Sequence, residues 1–232
     1  MIYTVTLNPV LDRTLTVPAI CFNEVLRATS LRLDWGGKGF NVSRALQALG
    51  GESTALGLIG GATGRMLEHG LQELGILTDL TPIAGETRTN IVIAEEGSDK
   101  HIKVNEPGPH ISVQEQALFL EKVRQESRPG DLWVFSGSLP PGIPDDFYAR
   151  LISLVQSHGG LAFLDASGEP LRLGCTSTPY LVKPNLREAQ EVSGVTIHSM
   201  ADRRKAAEFF LQQGIVFVAL SMGEQGLWFA SQ

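Results

Sequence analysis

Short apolar runs recur along the chain, and most lack the polar alternation of a half-exposed strand. They cover Tyr3–Leu7, Thr54–Gly60, Asp131–Gly137, Leu161–Asp165, Tyr180–Asn185 and Ile215–Ser221. Such runs read as strands buried on both faces, as in a parallel sheet. Between them apolar residues return every three or four positions. This periodicity predicts a helix over Phe40–Leu49, with Val42, Ala45, Leu46 and Leu49 on one face. It predicts a second over Arg65–Leu74, with Met66, Leu67, Leu71 and Leu74 together. Further helices are expected at Val113–Glu126, Asp145–Ser157, Leu186–Ser193 and Ala201–Gln213. Strands alternating with helices make βαβ units, so the expected fold class is α/β with a doubly wound, mostly parallel sheet. Ligands of such sheets sit beyond the carboxyl ends of the strands.

One region breaks this rhythm. Thr89–Glu106 reads as a hairpin, two alternating strands around "EEGSDK". In it Ile91 and Ile93 face one way, as do Ile102 and Val104. Asp12–Asp34 is also poor in helix signals and has some β character. Together the two segments predict a small sheet projecting from the α/β body. A half-exposed sheet over a ligand crevice is a lid candidate; the plainer reading is an ordinary surface hairpin.

Composition narrows the function classes. The 232 residues suit one α/β domain, and a hydrophobic content of 43 % suffices for a full core. A net charge of −6, with no Lys/Arg run, argues against nucleic-acid binding but leaves room for a local basic pocket. Cys21 and Cys175 stand alone, which speaks against a disulfide framework or a cysteine metal site and suits a reducing compartment. The N-terminal stretch lacks the marks of a signal peptide, and the longest apolar runs are too short to span a bilayer. A soluble, cytoplasmic protein with no membrane partner is the expectation.

The stretch "DWGGKGFNVSRALQALGG" from Asp34 to Gly51 carries candidate chemistry. It is not a phosphate-binding P-loop, because Lys38 is followed by Gly39 rather than Ser or Thr. Nor is it a dinucleotide fingerprint, since Gly37 and Gly39 lack a glycine three residues further on. What remains is a bare backbone turn entering a helix, exposing N–H groups and the positive end of a helix dipole. With Lys38 and Asn41 beside it, such a turn suits hydroxyl or phosphate groups. Close packing alone would call for the same glycines.

Several segments in fixed order resemble the PfkB branch of the ribokinase-like carbohydrate kinases, more narrowly the 1-phosphofructokinase and tagatose-6-phosphate kinase group. They are "TLNPVLDRT" (Thr6–Thr14), "GGKGFNVSRAL" (Gly36–Leu46), "GETRTN" (Gly85–Asn90), "NEPGP" (Asn105–Pro109), "SGSLPPG" (Ser136–Gly142), "LDASGE" (Leu164–Glu169), "VKPNLREA" (Val182–Ala189) and "SMGEQG" (Ser221–Gly226). Each alone is weak; the ordered set covers essentially the whole chain. The resemblance implies one ribokinase-like α/β domain over 1–232, C-terminally incomplete, with lid segments at about 12–34 and 87–106. It implies ATP-dependent phosphoryl transfer to a sugar phosphate, most simply fructose 1-phosphate to fructose 1,6-bisphosphate, with tagatose 6-phosphate as the nearest alternative.

The implied roles follow residue by residue. Asp12 would accept hydrogen bonds from sugar hydroxyls, and Gly36, Gly37 and Asn41 would hold the sugar from the other side. Lys38, Arg88 and one of Lys103 or Arg27 would hold the substrate's phosphate, Arg88 by forking onto its oxygens. Asn90 and Ser138 would line the sugar pocket. Lys183, Asn185, Glu188, Ser221 and Gly223 would serve ATP, with Glu188 reaching Mg²⁺ through a metal-bound water. On their own, Asn185 and Glu188 read as a helix start with a favourable acid. A homodimer through the lid is also implied.

The family pattern further calls for a Gly-Ala-Gly-Asp segment opening a helix. Its aspartate is the expected general base, and its N–H groups the expected anion hole. No such segment occurs, so the base would lie beyond Gln232, and the 232-residue chain is expected to be inactive. A sugar-phosphate-binding protein without catalysis is therefore the second reading. The same argument expects "VFVALS" and "LWFAS" to be exposed.

Overall fold

The structure, a computed structural model, describes residues 1–231. The chain opens with β1 (Ile2–Thr6), β2 (Val10–Val17), β3 (Ser30–Gly36), α1 (Lys38–Ala48), β4 (Thr54–Ile59), α2 (Gly61–Glu73), β5 (Leu77–Thr78) and β6 (Thr81–Pro82). It continues with β7 (Arg88–Glu95), β8 (His101–Asn105), α3 (Val113–Glu126), β9 (Leu132–Ser136), α4 (Phe147–Ser157), β10 (Leu161–Asp165) and α5 (Gly168–Cys175). The last elements are β11 (Leu181–Val182), α6 (Leu186–Ser193), α7 (Met200–Gln212), β12 (Phe217–Ser221) and β13 (Leu227–Ser231).

The large sheet has the order β13-β12-β11-β10-β9-β1-β4-β5, with β6 also beside β4. All its pairings are parallel except that of β12 with β13. Alternation along β1 divides the two faces. Tyr3, Val5 and Leu7 join Trp133, Phe135, Leu164 and Val218 in the main core, where Phe119, Tyr148, Leu171 and Phe210 come from α3, α4, α5 and α7. Thr4 and Thr6 point to α1: Thr4 Oγ1 shares a 2.7 Å hydrogen bond with Ser43 Oγ, and Phe40 N donates to Thr6 Oγ1 at 3.1 Å. A smaller core of Phe40, Ala55, Ile59, Leu67, Leu71 and Ile76 lies on that side.

The second sheet has four strands in the order β3-β2-β7-β8. The predicted hairpin is β7–β8, with Ile91 opposite Val104 and Ile93 opposite Ile102. The Asp12–Asp34 region supplies β2 and β3, paired from Val10–Gly36 to Thr16–Ser30. β2 and β7 join in parallel, Asp12 beside Asn90. Register puts Asp12, Arg88, Asn90, Lys103 and Asn105 on one face, and Leu15, Leu33, Ile91, Ile93, Ile102 and Val104 on the other. Near the body, Trp35 of β3 packs so closely on α2 that a Cβ at Gly70 would lie 2.0 Å from its ring.

Four expectations change. The buried side of α1 is Gly39, Phe40 and Ser43, while Ala45 and Leu49 are exposed. Glycine lets α1 press onto β1: a Cβ at Gly39 would stand 2.6 Å from the Val5 carbonyl. The expected apolar face instead borders a groove of about 360 Å³ lined by Val42, Leu46, Leu132, Val134, Phe163 and Leu181, among others. Second, α2 begins at Gly61, four residues before the predicted start, because Glu86 caps it from across the chain. Ala62 N and Thr63 N donate to its carboxylate at 3.3 and 2.6 Å. Third, α5 was not foreseen: two glycines and Pro170 hide it, yet proline is tolerated in a first turn whose N–H groups have no helical partner. Fourth, "VFVALS" is buried at Val218, Ala219 and Leu220, with β13 pairing its edge; only in β13 are Leu227 and Phe229 exposed.

Candidate functional site

The carboxyl ends of β1, β9, β10 and β11 and the polar face of the small sheet bring the candidate residues together in three groups. In the first, Asn90 Nδ2 donates to Asp12 Oδ1 at 2.9 Å, and Asp12 lies against the end of β3. A Cβ at Gly36 would come 2.5 Å from Asp12 Oδ2, so glycine there keeps backbone and carboxylate in contact. Gly37 has φ of 143°, which an L side chain rarely adopts, and a Cβ would meet Thr6 Cγ2 at 2.6 Å. The glycine stretch thus serves packing as well as any ligand. Asn90 Oδ1 is buried and makes no hydrogen bond among the described residues.

The second group surrounds Arg88, at the start of β7. Its Nη1 donates to the Glu106 carbonyl at 2.9 Å and its Nη2 to the Asn8 carbonyl at 3.0 Å. Burial lowers its pKa, and the charges of Asp12 and Glu106 oppose that shift. A guanidinium stays protonated regardless, so this half-buried site holds a positive charge. Ser138 joins through a 3.3 Å bond from Asn8 Nδ2.

In the third group, Asp165 at the end of β10 binds two lysines, Lys38 Nζ to Oδ1 at 3.1 Å and Lys183 Nζ to Oδ2 at 2.9 Å. One carboxylate between two ammonium groups leaves net positive charge. Gly137 N donates to the Asp165 carbonyl at 2.9 Å, fixing the neighbouring strand end. Asn185 and Glu188 form a capping box on α6: Glu188 N donates to Asn185 Oδ1 at 2.9 Å, and Asn185 N to Glu188 Oε2 at 2.8 Å. Asn185 also bridges to Ser221 in parallel fashion, and Gly223 opens the short turn that follows.

Other candidates stand apart. Asn41 is exposed on α1, in a groove with Arg44 and Leu74. Lys103 shares the face of Asn90 but pairs with Val92, one step further out, and Arg27 lies exposed in the β2–β3 connection. Among the described residues no cluster of three or more His, Cys, Asp or Glu is placed to hold a metal ion. None of their helices is long and apolar enough to cross a membrane.

Sequence reasoning assigned no role to Asp165 or Asn8. The first carried a usable signal, a carboxylate closing the apolar run "LAFLD" at the strand end where ligands of parallel sheets bind. Asn8 lies in the quoted segment Thr6–Thr14, but nothing local shows its role, since its partners lie 80 to 130 residues away.

Comparison with known proteins identifies the family and the fold. Residues 5–232 match the family described as pfkB family carbohydrate kinase. The chain is 34 % identical to a 1-phosphofructokinase of Xanthomonas campestris pv. campestris, covering 99 % of this chain and 73 % of the relative. It is equally 34 % identical to an ATP-dependent 6-phosphofructokinase isozyme 2 of Mycobacterium tuberculosis, over 100 % of this chain and 68 % of that one. Among solved structures, phosphofructokinase-2 from Escherichia coli in complex with fructose-6-phosphate superposes with a TM-score of 0.94 at 34 % identity, covering 100 % of this chain and 77 % of the other. The α/β fold with its separate small sheet is that of these kinases, and the chain belongs to the pfkB family of carbohydrate kinases.

Proposed function

We propose that the chain serves ATP-dependent phosphorylation of a sugar phosphate, with fructose 1-phosphate as substrate. The observation that carries this reading is the half-buried, charged Arg88 beside the Asp12–Asn90 pair. A carboxylate and an amide suit sugar hydroxyls, and a fixed guanidinium suits a phosphate already on the sugar. The small sheet is the lid: it carries Asp12, Arg88 and Asn90, and its approach to the body would exclude water from the crevice. Gly36, Gly37 and Ser138 would complete the sugar pocket, with Asn41 on α1 and the Lys103 cation as outlying groups.

ATP would lie over the ends of β10, β11 and β12. Lys183 would meet its phosphates, and Lys38, held by the same Asp165 carboxylate, would face the sugar's phosphate from that side, while Asn185, Ser221 and Gly223 shape the floor. Glu188 fits a Mg²⁺ held mainly by phosphates and water, since a single carboxylate can bind a metal-bound water. The metal would neutralise phosphate charge. The relatives also support fructose 6-phosphate as a rival substrate.

The Gly-Ala-Gly-Asp segment is not among the 232 residues, so binding is the primary readout. Calorimetry should give tighter binding of fructose 1-phosphate than of fructose 6-phosphate or tagatose 6-phosphate. Arg88→Ala should weaken it roughly 10- to 100-fold, the worth of charge-assisted hydrogen bonds, and leave ATP affinity unchanged. Equal affinity in the variant would remove Arg88 from the phosphate site. A coupled kinase assay on the same chain separates catalysis from binding alone.

A further inference from the structure

Asn8 occupies the junction between the two sheets, after β1 and before β2, and is only 6 % exposed. Its carbonyl oxygen receives Arg88 Nη2 at 3.0 Å. Its side-chain Nδ2 donates to the Pro107 carbonyl at 3.1 Å and to Ser138 Oγ at 3.3 Å. The Pro107 carbonyl fixes which way the amide lies, because that oxygen can only accept and the nitrogen must face it.

The other side of the amide is closed. Gly108 has φ of 99°, and a Cβ there would stand 2.3 Å from Asn8 Oδ1. That oxygen is buried and makes no hydrogen bond among the described residues. The segment before Gly108 grips Arg88 from the opposite side: the Glu106 carbonyl accepts from Nη1 at 2.9 Å, and the Glu106 carboxylate from Thr89 N at 2.8 Å. Two neutral backbone carbonyls therefore orient the guanidinium without cancelling its charge, and the Asn8 side chain, through the Pro107 carbonyl, anchors the segment that supplies the second of them.

We propose that Asn8 is a positioning residue that sets Arg88 for the substrate's phosphate and ties it to Ser138 in the sugar pocket. The inference rests on the reading of Arg88 as the phosphate ligand. A pre-oriented guanidinium loses less freedom when the phosphate arrives, so loosening it should weaken sugar-phosphate binding selectively.

The test is a double-mutant cycle by calorimetry on the full chain, with fructose 1-phosphate and ATP titrated separately into wild type, Asn8→Ala, Arg88→Ala and the double variant. Asn8→Ala should weaken fructose 1-phosphate binding about tenfold, leave ATP binding unchanged, and have no further effect once Arg88 is gone. A wild type that does not bind, or an Arg88→Ala that binds normally, would refute the parent reading. A normal Arg88 effect with an Asn8 effect that is absent, or undiminished in the Arg88→Ala background, would overturn the Asn8 inference alone. Asn8→Ser, which keeps a hydroxyl donor, is measured where the alanine variant does not fold. Failure of both to fold would assign Asn8 to stability and overturn the positioning role.

Discussion

Asp165 joins Lys38 of α1 to Lys183, which follows β11, although the two lysines are 145 positions apart. Local sequence could mark each lysine as a phosphate ligand, but not their sharing of one carboxylate. That arrangement keeps two cations extended and close while no polyanion is present. Asp165→Asn should remove the competing charge and tighten binding of metal-free ATP several-fold at low salt, with the gain shrinking as salt is added. Weaker binding would mean that Asp165 organises the lysines rather than competing for them. The glycines illustrate the opposite case. Their presence was plain in the sequence, but the contacts demanding them, Gly36 with Asp12 and Gly39 with Val5, came only from the fold.

Among the elements, α2 shows why boundaries escape local reading. Its apolar periodicity identifies the helix, but its first turn is capped by Glu86, 23 residues from Thr63. The hydrogen bonds from Thr63 and Ala62 hold the Glu86 carboxyl below the usual glutamate value of 4.5. A lowered carboxyl contributes stability that is present above its unfolded value and lost as pH falls through its folded value. The melting-temperature difference between wild type and Glu86→Ala should therefore be present at neutral pH and vanish on acidification below 4.5. A difference independent of pH would locate Glu86's contribution in packing. By contrast, α3, α6 and α7 carry their caps locally, in Ser112–Glu115, Asn185–Glu188 and Ser199–Asp202, and were legible to within a residue.

At the scale of the whole molecule, the small sheet presents an apolar face away from its polar one. Leu31, Ile91 and Val104 on it are 50 %, 39 % and 57 % exposed. A second copy placing the same face against it would cover these side chains, the arrangement expected of a homodimer through the lid. Ile91→Asp should convert a dimer to monomer in sedimentation experiments without lowering secondary-structure content. A wild type that sediments as a monomer at high concentration would sink the dimer.

The sequence by itself determined the α/β class, the parallel strands, most helices, the hairpin and the ordered motifs, because each is written in residues close together. Unbroken apolar runs, three-to-four periodicity and capping boxes act over a dozen residues or fewer. Tertiary structure alone decided the parallel β2–β7 pairing, which brings Asp12 to Asn90, and the β13 edge. It also decided the Asp165 bridge, the Glu86 cap and the Asn8 junction. Ion pairs, hydrogen bonds and sheet pairings between distant positions leave no periodic trace, because either partner alone is compatible with many surroundings.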